Sequence, residues 1–197
     1  IRLLPHLHLS AQHGDDVILK RMKRRHLARD ILRFCKEARR RRPDVVFGAD
    51  VIAGFPTESD QAHQASIDMI EAAGITHLHV FPYSPRSGTP AAAMPQLSRE
   101  IIKARARALR QFGGQRLEEF LDSMVGSKDQ LLVETGNRGH GRNFAKIRLD
   151  ETSYPSGCLV DVSIVGRDGD PTHIFATDDV VGCEMGFEVR DLKLGNL

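Results

Sequence analysis

The sequence has no tryptophan, and aromatic residues make up only 6% of it. No apolar run approaches the ~20 residues needed to cross a bilayer as a helix, which excludes a helical membrane span. No signal peptide is visible. Cysteine is scarce: Cys35, Cys158 and Cys183 lie far apart and form no C-x-x-C pair. That scarcity argues against a disulfide framework or a zinc site and for a reducing cytoplasm. No residue is assigned as a metal ligand. The chain also lacks an initiator methionine and opens almost at once on a strand, so we expect the interior of something longer.

What is present is enough to fold. The 197 residues are 41% hydrophobic, sufficient for one large or two small domains with a core. The net charge of +2 hides an asymmetry. Residues 20–42 carry twelve Lys or Arg against Asp30 and Glu37, a balance of +10. Residues 127–197 carry eight basic and twelve acidic residues and are net negative. If a nucleic acid binds, the first half supplies most of the long-range attraction.

The chain divides near residues 125–128. Before that point strands and helices alternate. Residues 4–10 read as a strand, and Asp15 and Asp16 open a short helical turn. Ala28, Ile31, Leu32, Cys35 and Ala38 follow at helical spacing, and Pro43 stops that helix. Residues 45–53 are a mostly apolar run, as in a strand covered on both faces. Residues 60–73 form a helix with Gly74 as its C-terminal cap. Residues 75–81 are a third strand. Ser98 then caps a long helix to about Met124, with an interruption expected at Gly113-Gly114. This is the βαβ rhythm of a parallel sheet. After Gly126 the runs at 130–134, 143–149, 159–165, 172–175 and 180–184 are short and rich in β-formers, with no helix among them. They read as a small antiparallel β-barrel. The expected architecture is α/β: a partial, half βα barrel over residues 1–126, then a small β-barrel over 127–197.

Two of the strands carry polar side chains at alternate positions. His6 and His8 alternate with Leu7 and Leu9, and His77 and His79 with Leu78 and Val80. In a parallel barrel such alternation sends the leucines to the helices and the histidines to the interior. Each histidine alone reads most simply as a neutral, hydrogen-bonded interior group; four together imply a polar, occupied interior. Chemistry in such folds gathers at the C-terminal ends of the strands. Those ends are residues 10–15, 54–58 and 83–89.

The loops H-L-H-L-S-A-Q-H-G-D-D-V-I-L-K-R-M-K-R-R-H, G-A-D-V-I-A-G-F-P-T-E and H-V-F-P-Y-S-P-R-S-G-T-P-A occur in this order. Together they resemble the second half of the radical S-adenosylmethionine (SAM) methylthiotransferases. The branch they resemble most is that of the tRNA enzymes acting on N6-threonylcarbamoyladenosine. The resemblance covers about residues 3–125, and the β-rich remainder resembles the RNA-binding TRAM domain that ends these enzymes. It implies that the three strands are the fourth to sixth of a six-stranded partial barrel. It also implies that Ser10, Gln12, Asp50, Ile52, Gly54 and Arg86 bind SAM. Among these, the backbone near Ile52 takes the adenine, Ser10 and Gln12 the ribose and methionine part, and Arg86 a carboxylate or phosphate. Taken alone, Gly54 and Pro56 would read as an ordinary strand-to-helix turn.

Three departures from the family pattern stand out. His13 and Ser87 replace a small residue and a proline of the usual motifs, and the family's C-x-x-x-C-x-x-C run is absent. That run holds a four-iron, four-sulfur cluster in the family. SAM and iron–sulfur clusters are therefore the cofactors of a parent enzyme, and this chain alone is expected to hold no cluster, to bind SAM weakly and to be inactive. No residue is singled out as catalytic. The expected partner is tRNA, contacted through Lys20, Arg21, Lys23, Arg24, Arg25, Arg39, Arg40, Arg41, Arg42 and Arg142. These cations lack interleaved aromatics, so phosphate contact without base reading is expected, and replacing Arg39–Arg42 is expected to leave the core intact. The plain reading of the stretch is a solvated helix face. The competing functions are a ribosomal-protein methylthiotransferase fragment and a non-catalytic RNA-binding protein. An open half-barrel also leaves strand edges exposed, through which two copies could associate.

Overall fold

The computed structural model describes residues 3–150, 152–167, 169 and 172–178, and the backbone of 184 and 185. The chain forms two compact units, Ile1–Phe120 and Leu121–Leu197.

The first unit runs β1 (His6–Gln12), α1 (Asp16–Arg21), α2 (Ala28–Arg41), β2 (Val46–Ala53), α3 (Asp60–Ala73), β3 (Ile75–Pro82), a 3-10 turn at Pro90–Ala93, and α4 (Arg99–Met124). Local chemistry sets the helix ends. The Asp15 carboxylate accepts from the Ile18 amide at 2.8 Å, and Ser59 Oγ accepts from the Ala62 amide at 3.1 Å. Each satisfies an amide that the first helical turn would otherwise leave without a partner. Gly74 ends α3 in the left-handed conformation, with φ 60°. The sheet is parallel in the order β1-β2-β3. Phe47, Ala49 and Val51 of β2 are fully buried against Ile31 and Cys35 of α2, Ile70 and Ala73 of α3, and Leu109 of α4. Leu7, Leu9, Leu78 and Val80 pack on this same core. Withdrawing each large side chain from water contributes roughly 2 kcal/mol. The alternate positions His6, His8, Gly48, Asp50, His77 and His79 therefore share the other face of the sheet.

α4 continues unbroken through Gly113-Gly114, contrary to expectation. A Cβ at Gly113 would lie 2.9 Å from the Leu78 Cβ, whereas one at Gly114 would meet nothing within 4 Å. Gly113 thus serves the close approach of helix to strand, and the packing retained there outweighs the low helix propensity of two glycines.

The second unit contains β4 (Lys128–Thr135), β5 (Arg138–His140), β6 (Lys146–Leu149), β7 (Cys158–Arg167), β8 (His173–Asp178) and β9 (Glu184–Met185). Its strand order is β4-β5-β6-β8-β7, and pairing of β4 with β7 closes a five-stranded barrel. Leu131, Val133, Ile147, Leu149, Val160, Val162, Ile164, Ile174 and Ala176 fill the interior. All pairings are antiparallel except β6 with β8, which is parallel because the chain returns to β6's other edge only after traversing β7. β5 was not foreseen: it is three residues long and contains Gly139. Of the strand expected at 180–184, all but Glu184 lies outside the described residues, as does Cys183. Cys158 is disulfide-bonded, which corrects the expectation against a disulfide framework. Cys35 is free and fully buried, and burial pushes its thiol pKa up despite the neighbouring Arg39.

Candidate active site and nucleic-acid contacts

A cavity of about 620 Å³ opens at the C-terminal ends of β1, β2 and β3. Gln12, Asp50, Ile52 and Arg86 line it, each from one of the three motif-bearing loops or strands. Arg21, Met22, Lys23 and Arg24, at and beyond the end of α1, form another wall, and Phe55, Phe81, Pro82 and Tyr83 supply apolar surface. Four cations and one carboxylate thus face a partly apolar cavity whose size suits a small ligand. Arg24 donates to Gln12 Oε1 at 2.9 Å, and Arg21 donates to the Thr57 hydroxyl.

The backbone around this cavity is strained. Only four non-glycine residues have positive φ among those described: Gln12 (68°), Lys23 (57°), Thr57 (68°) and Phe144 (70°). Gln12 and Lys23 line the cavity, and Thr57 bonds to Arg21, which lines it. Each such residue costs of order 1 kcal/mol and persists where its surroundings hold it, a pattern typical of functional sites.

The remaining sequence-assigned cofactor residues lie elsewhere. Ser10 is exposed on the histidine-bearing face and does not line the cavity. Gly54 is buried against α4: its φ is 76°, and an added Cβ would lie 2.6 Å from Ile102 Cγ1. Glycine is thus required at 54 by conformation and by helix packing. His13 is buried too, and its Nδ1 accepts from the Asp15 amide at 2.9 Å. That leaves its Nε2 as the protonated nitrogen, 3.6 Å from Glu58 Oε2.

Glu58 ties the glycine-bearing loop together beneath the cavity. Its Oε2 accepts from the amides of Gly54 at 2.6 Å and Phe55 at 3.0 Å. His63 Nδ1 and Arg105 Nη1 stand 3.5 Å and 3.3 Å from its Oε1, and Arg105 extends to Asp60 at 2.6 Å. Burial disfavours the charged carboxylate, but the bonding of His13 and His63 and the charge of Arg105 prevail and lower its pKa to about 2.

On the polar face, His8, Asp50 and His79 meet. His8 Nε2 is 2.9 Å and His79 Nδ1 3.3 Å from the same Asp50 Oδ1. The alternation of histidines was legible in the sequence; the carboxylate between them was not, because it comes from the middle strand.

The basic stretch separates into two groups. Arg21, Lys23 and Arg24 stand at the cavity, and Lys20 and Arg25 are exposed beside them. Arg39–Arg42 lie before the N-terminal end of β2, at the opposite end of the sheet. Arg39 donates to the carbonyls of Ala73 at 2.7 Å and Gly74 at 3.0 Å, and its guanidinium lies 4.7 Å from the Phe47 ring centroid. Arg40 and Arg41 both bind Glu37, and Arg42 binds Asp44 and the Leu3 carbonyl. Replacing all four arginines would therefore disturb the core, which corrects the view that none of them supports it.

In the barrel, Arg138 and His140 of β5 point outward opposite Arg148 and Lys146 of β6. Arg138 stands directly across from Arg148, whose guanidinium lies 5.7 Å from the Phe175 ring centroid. Arg142 is in the connecting loop, and there the exposed Phe144 stacks on His140 with ring centroids 4.5 Å apart. The stacking residue was missed in the sequence because a single Phe carries no periodic signal. No described helix is long and apolar enough to cross a membrane.

No family model matches the chain. It is 50% identical over 150 residues to the threonylcarbamoyladenosine tRNA methylthiotransferase MtaB of Rickettsia prowazekii, covering 76% of this chain and 36% of that protein. It is 35% identical over 170 residues to the tRNA-2-methylthio-N(6)-dimethylallyladenosine synthase of Roseobacter denitrificans, covering 83% and 38%. The corresponding synthase of Cereibacter sphaeroides is 38% identical over 169 residues, with 83% and 39% covered. The chain thus spans a little over a third of the length of these curated relatives, and its homologues are tRNA methylthiotransferases.

Proposed function

We propose that this chain forms the SAM-facing half-barrel and the RNA-binding barrel of a radical SAM tRNA methylthiotransferase acting on N6-threonylcarbamoyladenosine. The observation that carries the reading is the cavity where Gln12, Asp50, Ile52 and Arg86 meet under a rim of cations. SAM fits these residues: Ile52 offers an apolar edge and backbone for adenine, Gln12 and Asp50 offer partners for hydroxyl and ammonium groups, and Arg86 a partner for carboxylate. When bound, it supplies the radical and the methyl group. The described cysteines do not fit an iron–sulfur cluster, since Cys35 is buried in the core and Cys158 is disulfide-bonded. The chain's own contribution is to bind and orient.

Charge supports this substrate branch. A threonylcarbamoyl substituent carries a carboxylate, whereas a dimethylallyl group is purely apolar. With Arg86 facing SAM, the remaining rim cations Arg21, Lys23 and Arg24 suit the first and would stand desolvated against the second. On the barrel, Phe144 supplies a stacking surface and Arg138, Arg142 and Lys146 the phosphate contacts, on the β5–β6 side that five-stranded barrels of this kind use for oligonucleotides.

The test compares three anticodon stem-loops in binding to this chain, bearing threonylcarbamoyladenosine, dimethylallyladenosine or plain adenosine. Tighter binding of the first, lost in Lys23→Gln or Arg24→Gln, is expected. Equal affinity for all three would overturn the branch assignment, and no binding of any of them would overturn the RNA reading.

A further inference from the structure

We propose that His8, Asp50 and His79 bind a first-row divalent metal ion on the polar face of the three-stranded sheet. The inference stands on the geometry of this face and does not depend on the function proposed above.

The three side chains come from three adjacent strands. β1 and β2 pair with His8 opposite Gly48, and β2 and β3 pair with Asp50 opposite His79. The ligand atoms all lie within 4.8 Å of one another, with 2.9 Å and 3.3 Å from Asp50 Oδ1 to the two imidazole nitrogens. An ion with bonds of roughly 2.0–2.2 Å places tetrahedral neighbours about 3.3–3.6 Å apart, so the cluster needs little movement to close on one. Gly48 makes the arrangement possible. A Cβ there would lie 2.5 Å from His8 Nδ1 and 3.2 Å from His6 Nε2, so only glycine lets the His8 ring lie over the middle strand and turn Nε2 towards Asp50. The His8 and His79 rings stand 4.8 Å apart, tilted by 39°.

Two imidazoles and one carboxylate form a donor set that favours zinc, cobalt, nickel or iron(II) over magnesium or calcium. Three protein ligands leave further coordination positions open. Asp50 also lines the cavity, so those positions lie where a cavity ligand could reach the ion. Without an ion, His8 hydrogen-bonds Asp50 Oδ1 and His79 lies 3.3 Å from the same oxygen, and the experiment separates the two states.

The full chain, stripped with a chelator, is titrated with Co²⁺ and followed by its visible d–d absorption. One equivalent should bind and be displaced by Zn²⁺. His8→Ala, Asp50→Asn and His79→Ala should each weaken binding by roughly 100-fold or more, beyond the 10–100-fold typical of residues that only orient ligands. Ser10→Ala, on the same face, should leave binding unchanged. Circular dichroism checks that each variant folds. If one does not, proton NMR of the unmodified chain decides, because bound Co²⁺ must perturb the His8 and His79 rings. Absence of stoichiometric binding, persistence of binding when all three ligands are replaced, perturbation centred on other residues, or equal affinity for Mg²⁺ would each overturn the proposal.

Discussion

Replacing Glu58 by Gln removes a charge while keeping nearly the same shape. In the folded chain this carboxylate accepts from the amides of Gly54 and Phe55 and faces His13, His63 and Arg105. Its pKa of about 2, against an ordinary 4.5, means that folding favours the ionised form. At ~1.4 kcal/mol per pKa unit, the difference is worth about 3 kcal/mol at neutral pH. Breaking a buried ion pair by removing one partner costs roughly 3–5 kcal/mol, an independent route to the same size. Because the folded pKa is depressed, the stabilisation is complete above the unfolded value near 4.5 and is lost as pH falls through the folded value near 2. Urea unfolding of both proteins between pH 7 and pH 3 provides the assay. The chain has no tryptophan and two tyrosines, so in a Tyr154→Phe background fluorescence reports on Tyr83 alone. Tyr83 packs on Phe55, with ring centroids 5.3 Å apart, beside the loop in question. Glu58→Gln should be less stable by about 3 kcal/mol at pH 7, with the deficit shrinking below pH 4.5. A deficit under about 0.5 kcal/mol at pH 7, or one that does not shrink in acid, would refute the reasoning.

Adjacent glycines in α4 should respond oppositely to alanine. Gly114→Ala, with open space for its Cβ, should stabilise by about 0.5–1 kcal/mol, whereas Gly113→Ala should lose that gain or destabilise because its Cβ meets Leu78, as thermal melts of the two variants will show. Replacing Arg21, Lys23 and Arg24 together by Gln should lower tRNA affinity and flatten the slope of log affinity against log salt by about 2 to 3, at roughly −0.9 per phosphate contact. The same measurement on Arg40→Gln with Arg41→Gln, which are already paired with Glu37, should change the slope by less than about 1.

Much of the architecture was legible because local rules act over a few residues. The helices α2 and α3, the Gly74 cap and the β-strands of the half-barrel follow from periodicity and capping alone. Leu7, Leu9, Leu78 and Val80 went to the helices as their alternation required. The motif-bearing loops also named four residues that converge on the cavity. Other features depend on distant partners that no local pattern records. Gly113 spared α4 a break because a side chain on β3 needed the space. Arg39 left the solvated face because Phe47 and the end of α3 lay within its reach. The parallel pairing of β6 with β8 joins strands that β7 separates in the sequence. The division of one basic stretch into cavity cations and structural arginines was likewise decided by tertiary contact, since consecutive residues of like charge carry no mark of which end of the sheet they will occupy. The sequence by itself thus determined most of the segments that become strands and helices, because period and capping are short-range. Only the tertiary structure determined that Asp50 stands between two histidines 42 and 29 positions away and that Glu58 is held charged beneath the cavity, because strand register and burial arise when the chain closes on itself.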